Sequence, residues 1–241
     1  MMLTAFLFFS AVAMDGSDLK SGPPTADQVV SKLIQRDDER QSALEGYTSA
    51  RRYVLENSGH HKRAEMLVRV RCLKDGSKEF ETISSSGWGS ARKHVFPRLL
   101  EGEAEASHPE VRDQSRILPK NYSFEMAGTE PINGRSAYVI DITPKESKKY
   151  LVHGRIWVDV EDYAIVRMEG RPAKNPSFWI KSAHFVHSYE KHGTFWFPAS
   201  DHSLTDARFF GATEVTIEYF DYEPRASGLS AARETGPGGL R

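Results

Sequence analysis

The sequence predicts an α+β fold: a broad antiparallel sheet with one wet and one dry face, and few helices to cover the dry one. Three observations carry this. Ala137–Ile142, Arg155–Val160, Tyr163–Met168 and Glu214–Tyr219 each put aliphatic or aromatic residues on one parity and most of their charge on the other, the period-2 signature of a half-buried strand. Turn signals join such segments at Asp75-Gly76, Asn133-Gly134 and His192-Gly193. Long helical periodicities are scarce, so the apolar concavity is thinly covered and is a candidate container for an apolar ligand.

Thr25 and Gln28 have the spacing of a capping box, and the helix after them carries Val29, Val30, Leu33, Ile34 and then Leu44 on one side, with Arg36 to Arg40 on the other. Strands are expected at Tyr47–Leu55, Glu65–Cys72 and Lys78–Ile83, with a flexible Ser84–Ser90 loop next. Arg92 to Ala106 is helical in character, with Pro97 starting or kinking the helical part. Strands resume at Tyr122–Met126, Ala137–Thr143, Arg155–Val160, Ala164–Met168, Ser182–Lys191, Thr194–Thr205 and Ala212–Tyr222. The hairpin across Glu161-Asp162-Tyr163 is expected to pair Val158 with Val166 and Ile156 with Met168.

A chain of 241 residues with net charge −1 fits one sizeable domain, or at most two small ones, and has no global field for nucleic acid. Basic clusters at Arg51-Arg52 and His60–Arg63 read as solvated surface. Leu3 to Ala13 is an apolar run ending Ala11-Val12-Ala13, which predicts a signal peptide over 1–13 with cleavage before Met14, and hence a periplasmic location. No Lys or Arg precedes the run: either the true start lies elsewhere or the amino terminus alone supplies the charge. A polar linker over 14–24, a folded domain over 25–223 and a disordered tail over 224–241 complete the expected organisation. Cys72 is the single cysteine and shares parity with Met66, Val68 and Val70. A buried, inert thiol is expected there.

No phosphate loop, nucleophile elbow, HExxH or CxxC occurs. His184 and His187 would face opposite sides of a strand. His202 could approach His184 across the 192–193 turn, but no third ligand is evident. No metal, cofactor or catalytic residue is assigned. The dry-face set consists of Val68, Val70, Phe124, Tyr138, Ile140, Ile156, Val158, Val166, Met168, Ile217 and Tyr219. It forms either packed core or the wall of a ligand cavity, and the two are compatible where a core is left partly unfilled. Phe195 and Phe197 should share one face and Trp196 the other. Val95, Phe96, Leu99 and Leu100 form an apolar stripe after the Gly87-Trp88-Gly89 loop and are a candidate lid.

The ordered set Asn133-Gly134-Arg135, Asp141–Lys145, Gly154–Asp159, Ala164–Met168, Asn175–Trp179, Phe195–Pro198 and Ile217–Asp221 resembles the bacterial outer-membrane lipoprotein-sorting proteins, the LolA/LolB-like periplasmic carriers. The resemblance runs from Thr25 to about Glu223. It implies a curved, incomplete β-barrel with helices over its open concave side. It also implies a cavity that shelters lipoprotein acyl chains or related lipids, in a monomer that meets inner- or outer-membrane protein partners. Ser84 to Lys120 is longer and more charged than that pattern. The entrance arginine of the best-known carriers has no residue-by-residue counterpart here. An envelope sensor on the same fold, binding lipid or misfolded protein, is the second reading. A hydrolase with an unrecognised site is the third.

Overall fold

A computed structural model describes residues 22–174, 180–207 and 211–226. The expected signal peptide over 1–13, Asn175–Trp179 and the chain beyond Ala226 lie outside the described residues.

Helix α1 (Ala26–Ala43) opens on the expected capping box. Thr25 Oγ1 accepts from Gln28 N at 3.3 Å, and Gln28 Oε1 accepts from Thr25 N at 2.9 Å. Leu44 is extended and begins β1 (Leu44–Asn57), so the chain passes from helix to strand without a loop. The other strands are β2 (Lys62–Cys72), β3 (Lys78–Gly87), β4 (Tyr122–Ile132), β5 (Arg135–Pro144), β6 (Val152–Asp159), β7 (Ile165–Pro172), β8 (Ile180–His192), β9 (Phe195–Ala207) and β10 (Gly211–Ala226). Between β3 and β4 come a π-helical turn (Ala91–Val95), α2 (Phe96–Ser107) and α3 (Pro109–Ser115).

The ten strands form one antiparallel sheet in the order β3-β2-β1-β10-β9-β8-β7-β6-β5-β4, curved but not closed into a barrel. The order is a meander joined end to end through β1 and β10 and opened between β3 and β4. The segment linking those two edge strands is the one that carries α2 and α3. The connection that must travel from one edge to the other therefore supplies helices to the open side.

Two clusters lie on the helix-covered face. Val29, Val30 and Leu33 of α1 are buried against Ile140, Ile142, Ile156 and Val158. Phe96, with Val95, Leu99 and Leu100, packs on Tyr53, Leu55, Met66, Val68 and Val70. The opposite face carries cross-strand ion pairs such as Arg52–Glu65 and Arg69–Glu81, worth little individually in solvent. It also carries a smaller cluster of Ala137, Val139, Trp157 and Val166.

Several expectations are corrected. Ser84–Gly87 is the end of β3, not a loop, and β4 continues through Ile132. Asn133 (φ 49°) and Gly134 (φ 79°) then make the tight turn with two positive φ angles. β10 pairs with β1 as far as Ala226, three residues into the expected tail. A register shift between Trp157 and Val158 pairs Val158 with Ile165, while Ile156 keeps Met168. Val166 consequently joins Trp157's cluster rather than Val158's. The bulge inserts one residue and so reverses the face of the residues beyond it. Arg51 is fully buried, whereas Arg52 is on the surface as expected.

Candidate functional site

Two clefts adjoin between the helices and the sheet. The first, about 510 Å³, is walled by Tyr47 and Cys72 of the sheet, Phe195 to Pro198 of β9, and Glu103, Ala106 and Ser107 of α2. The second, about 400 Å³, is walled by Leu33 and Ile34 of α1, Ile117, Tyr122, Val152, Ile165, Met168 and His187. Asp37, Arg40, Ser115, Tyr189 and Trp196 line both, so the two lie side by side as one trough-like region along α1 and α3.

The trough's aromatic wall follows from the strand pattern. Phe195 and Phe197 pack with Tyr47 and Cys72, while Trp196 packs with the cluster of Trp157 and Val166, as alternation requires. The Tyr222 and Phe197 rings stack with centroids 4.5 Å apart. The rim is charged. Arg40 donates to the backbone carbonyls of Asp162 and Tyr163 at 3.0 and 3.1 Å, which ties the end of α1 to the β6–β7 turn. Burial pushes the Asp37 carboxyl and the Cys72 thiol up from their ordinary pKa values, consistent with an inert thiol.

The inner end of the first cleft is polar. Glu103 of α2 accepts from Arg51 Nη1, from Tyr53 Oη at 2.9 Å and from Lys78 Nζ at 3.3 Å. Burial alone would raise the Glu103 pKa, but Lys78, Arg51 and Tyr53 together hold it below the ordinary value. Burial lowers that of Lys78, against the attraction of Glu103. The Arg51 guanidinium lies over the rings of Tyr219 and Phe80, 4.8 and 5.7 Å from their centroids. Tyr219 in turn donates to Asp201, whose other oxygen meets His187 Nδ1 at 2.5 Å.

Of the cavity residues expected from sequence, Met168 lines the trough. Ile140, Ile156 and Val158 are packed under α1, with Phe124 and Tyr138 beside them. Val68 and Val70 are packed under Phe96, with Ile217 beside them. Tyr219 belongs to the polar chain, and Val166 lies in the other cluster. Of the candidate lid residues, Phe96 is buried in the cluster with Val68 and Val70, and Val95, Leu99 and Leu100 are partly buried against it. His184 pairs in register with Leu204 and His202 with Val186, and no group of three metal-ligating residues occurs among the described residues. The residues missed from sequence are Arg51, Glu103, Lys78 and Tyr189. Arg51 had a signal, since it occupies a dry-parity position among Tyr47, Ser49, Tyr53 and Leu55.

A family model described as the MucB/RseB N-terminal domain matches residues 60–173. Comparison with curated proteins finds no match. Among solved structures, the chain is similar to a domain described as an outer-membrane lipoprotein-sorting protein from Vibrio parahaemolyticus (14% identity, TM-score 0.46, covering 83% of this chain and 93% of that one). It is also similar to a LolA superfamily protein from Nitrosomonas europaea (10% identity, TM-score 0.39, 84% and 94%). A third similar structure is the Pseudomonas aeruginosa MucA/MucB complex (10% identity, TM-score 0.29, 82% and 99%).

Proposed function

We propose that this chain is a periplasmic carrier or binding protein that shelters lipoprotein acyl chains or related lipids, in the manner of LolA-like sorting proteins. The observation that carries the reading is the pair of adjoining clefts between helices and sheet, with aromatic and aliphatic side chains along their walls and charged groups at the rim and at the inner end of the first. Each methylene moved from water into such a trough contributes about 0.8 kcal/mol, so a chain of ordinary length needs dry walls rather than specific contacts. Binding, not turnover, is the activity proposed.

Native mass spectrometry of the protein purified from its own envelope tests this. A co-purifying lipid or lipoprotein is expected. Protein that emerges bare, and that also fails to bind an acyl probe after delipidation, would overturn it.

One observation favours a second reading, an envelope regulator that relays lipid or misfolded protein to a membrane partner: the MucB/RseB N-terminal model spans residues 60–173. Crosslinking in the intact envelope separates the two. A carrier is captured with many lipoproteins, a regulator with one membrane protein.

A further inference from the structure

Arginines in this protein repeatedly grip a carboxylate with the same edge. Arg52 holds Glu65, Arg71 holds Glu79, Arg135 holds Asp159 and Arg155 holds Asp141, each through Nε and Nη2. That edge is the two-pronged fork that fits carboxylate or phosphate oxygens. Arg51 is different. Its side chain is 0% exposed and spends only Nη1 on Glu103. Its Nε and Nη2 have no hydrogen-bond partner among the described residues, and neither does Ser49 Oγ, two residues away on the same face of β1.

A buried fork of donors without an acceptor is costly to maintain. The charge balance points the same way: Arg51 and Lys78 share the single carboxylate of Glu103. The rings of Tyr219 and Phe80 lie against the guanidinium, 4.8 and 5.7 Å away. Glu103 and Lys78 line the first cleft, and Glu103 stands between it and Arg51.

We infer that Arg51, with Ser49 and Lys78, receives the anionic end of a single-chain amphiphile that enters the trough head first, and that Glu103 on α2 occupies part of this site until the ligand arrives. The inference rests on the lipid-binding reading and specifies its ligand. The oxyanion takes the free fork of Arg51. The tail lies along Phe195, Phe197 and Tyr189 towards Ile165 and Met168. The incoming anion displaces the Glu103 carboxylate from Arg51, and α2 closes over the bound ligand.

The test titrates delipidated full-length protein with the fluorescent fatty acid cis-parinaric acid, its uncharged methyl ester and inorganic phosphate. The acid is expected to bind at least about tenfold tighter than the ester. Glu103→Gln should widen that ratio by removing the competing charge, and Ser49→Ala and Arg51→Gln should narrow it. Circular dichroism reports whether each variant is folded. Glu103→Gln leaves the fork itself intact, so the inference stays testable if Arg51→Gln does not fold. Equal binding of acid and ester, unchanged in Glu103→Gln, would overturn the anion site and leave the carrier reading standing. Failure of both probes would remove the carrier reading and this site with it. Displacement of the acid by phosphate at matching concentrations would show a free-oxyanion site and overturn the amphiphile.

Discussion

Arg51 of β1 and Glu103 of α2, 52 residues apart in sequence, form an ion pair whose arginine side chain is wholly buried. Together with Tyr53 and Lys78, which reach the same carboxylate, it pins α2 to the sheet floor beneath it. The apolar part of that interface is Phe96 and its neighbours. Removing one member of a buried pair strands the other charge, at a cost of roughly 3–5 kcal/mol. Glu103→Leu is therefore expected to lose that much in urea denaturation, and Arg51→Met combined with Glu103→Leu to lose clearly less. Equal losses would show that the two do not act as a pair.

The same pair sets a pH dependence. The Glu103 pKa is held below its ordinary value in the folded state, so its carboxylate stabilises the fold above the ordinary glutamate range. That contribution is lost as the pH falls through the folded value. Melting temperature should decline from about pH 6 to about pH 3 in the native chain and decline less in Glu103→Gln. Parallel curves would exclude Glu103 as a source of acid sensitivity.

Gly154 of β6 and Gly170 of β7 face each other in register. A Cβ on Gly154 would sit 2.0 Å from the Glu169 carbonyl oxygen, and one on Gly170 would sit 2.5 Å from that of His153. Both obstacles are backbone, so relief requires the strands to separate. Either glycine changed to alanine is expected to cost on the order of 2–3 kcal/mol by chemical denaturation. A neutral substitution would mean that the strands part freely here.

Most of the fold was legible because alternation is a local signal. Every strand expected from period 2 exists, and the capping box at Thr25 marked the start of α1. What alternation cannot show is a bulge. The extra residue near Val158 leaves composition and spacing almost unchanged, yet it moves Val166 to the other face. Seven-residue α3 was missed because it is too short to display a periodicity. The trough was only partly legible, because its walls come from elements far apart in sequence and its polar end needs Arg51 to meet Glu103. A dry-parity arginine was visible in the sequence, but its partner was not.

The register correction gives opposite expectations for two substitutions. Val166→Phe adds bulk to the packed cluster of Ala137, Val139 and Trp157, and should destabilise by about 1–3 kcal/mol without altering the affinity of the folded protein for an acyl probe. Met168→Trp adds bulk at the wall of the second cleft, and should weaken probe binding with little change in melting temperature. Thermal denaturation and probe titration of both variants decide the matter. If Val166→Phe blocks binding while remaining stable, the ligand lies on the other face of the sheet.

α2 is expected to behave as a movable cover. Phe96 is buried at its start and Glu103 is paired near its end, but Leu99 and Leu100 are only half-buried and Glu101 is exposed. The chain enters the helical segment just after Gly87, the last residue of β3, whose φ of +82° belongs to the left-handed region. Glu105 adds only exposed contacts to Tyr150 and Lys149, and a segment with so few fully buried contacts opens at lower cost than the sheet beneath it. Hydrogen exchange should show α2 amides exchanging fast in delipidated protein and slowly once an acyl ligand is bound, while β1 and β2 stay protected throughout. In Glu103→Gln the empty-state exchange should quicken further, because the polar tether is weakened while Phe96 remains in place. Strong and equal protection of α2 with and without ligand would make it fixed structure, and the way into the trough would then have to lie along the α1 and α3 side.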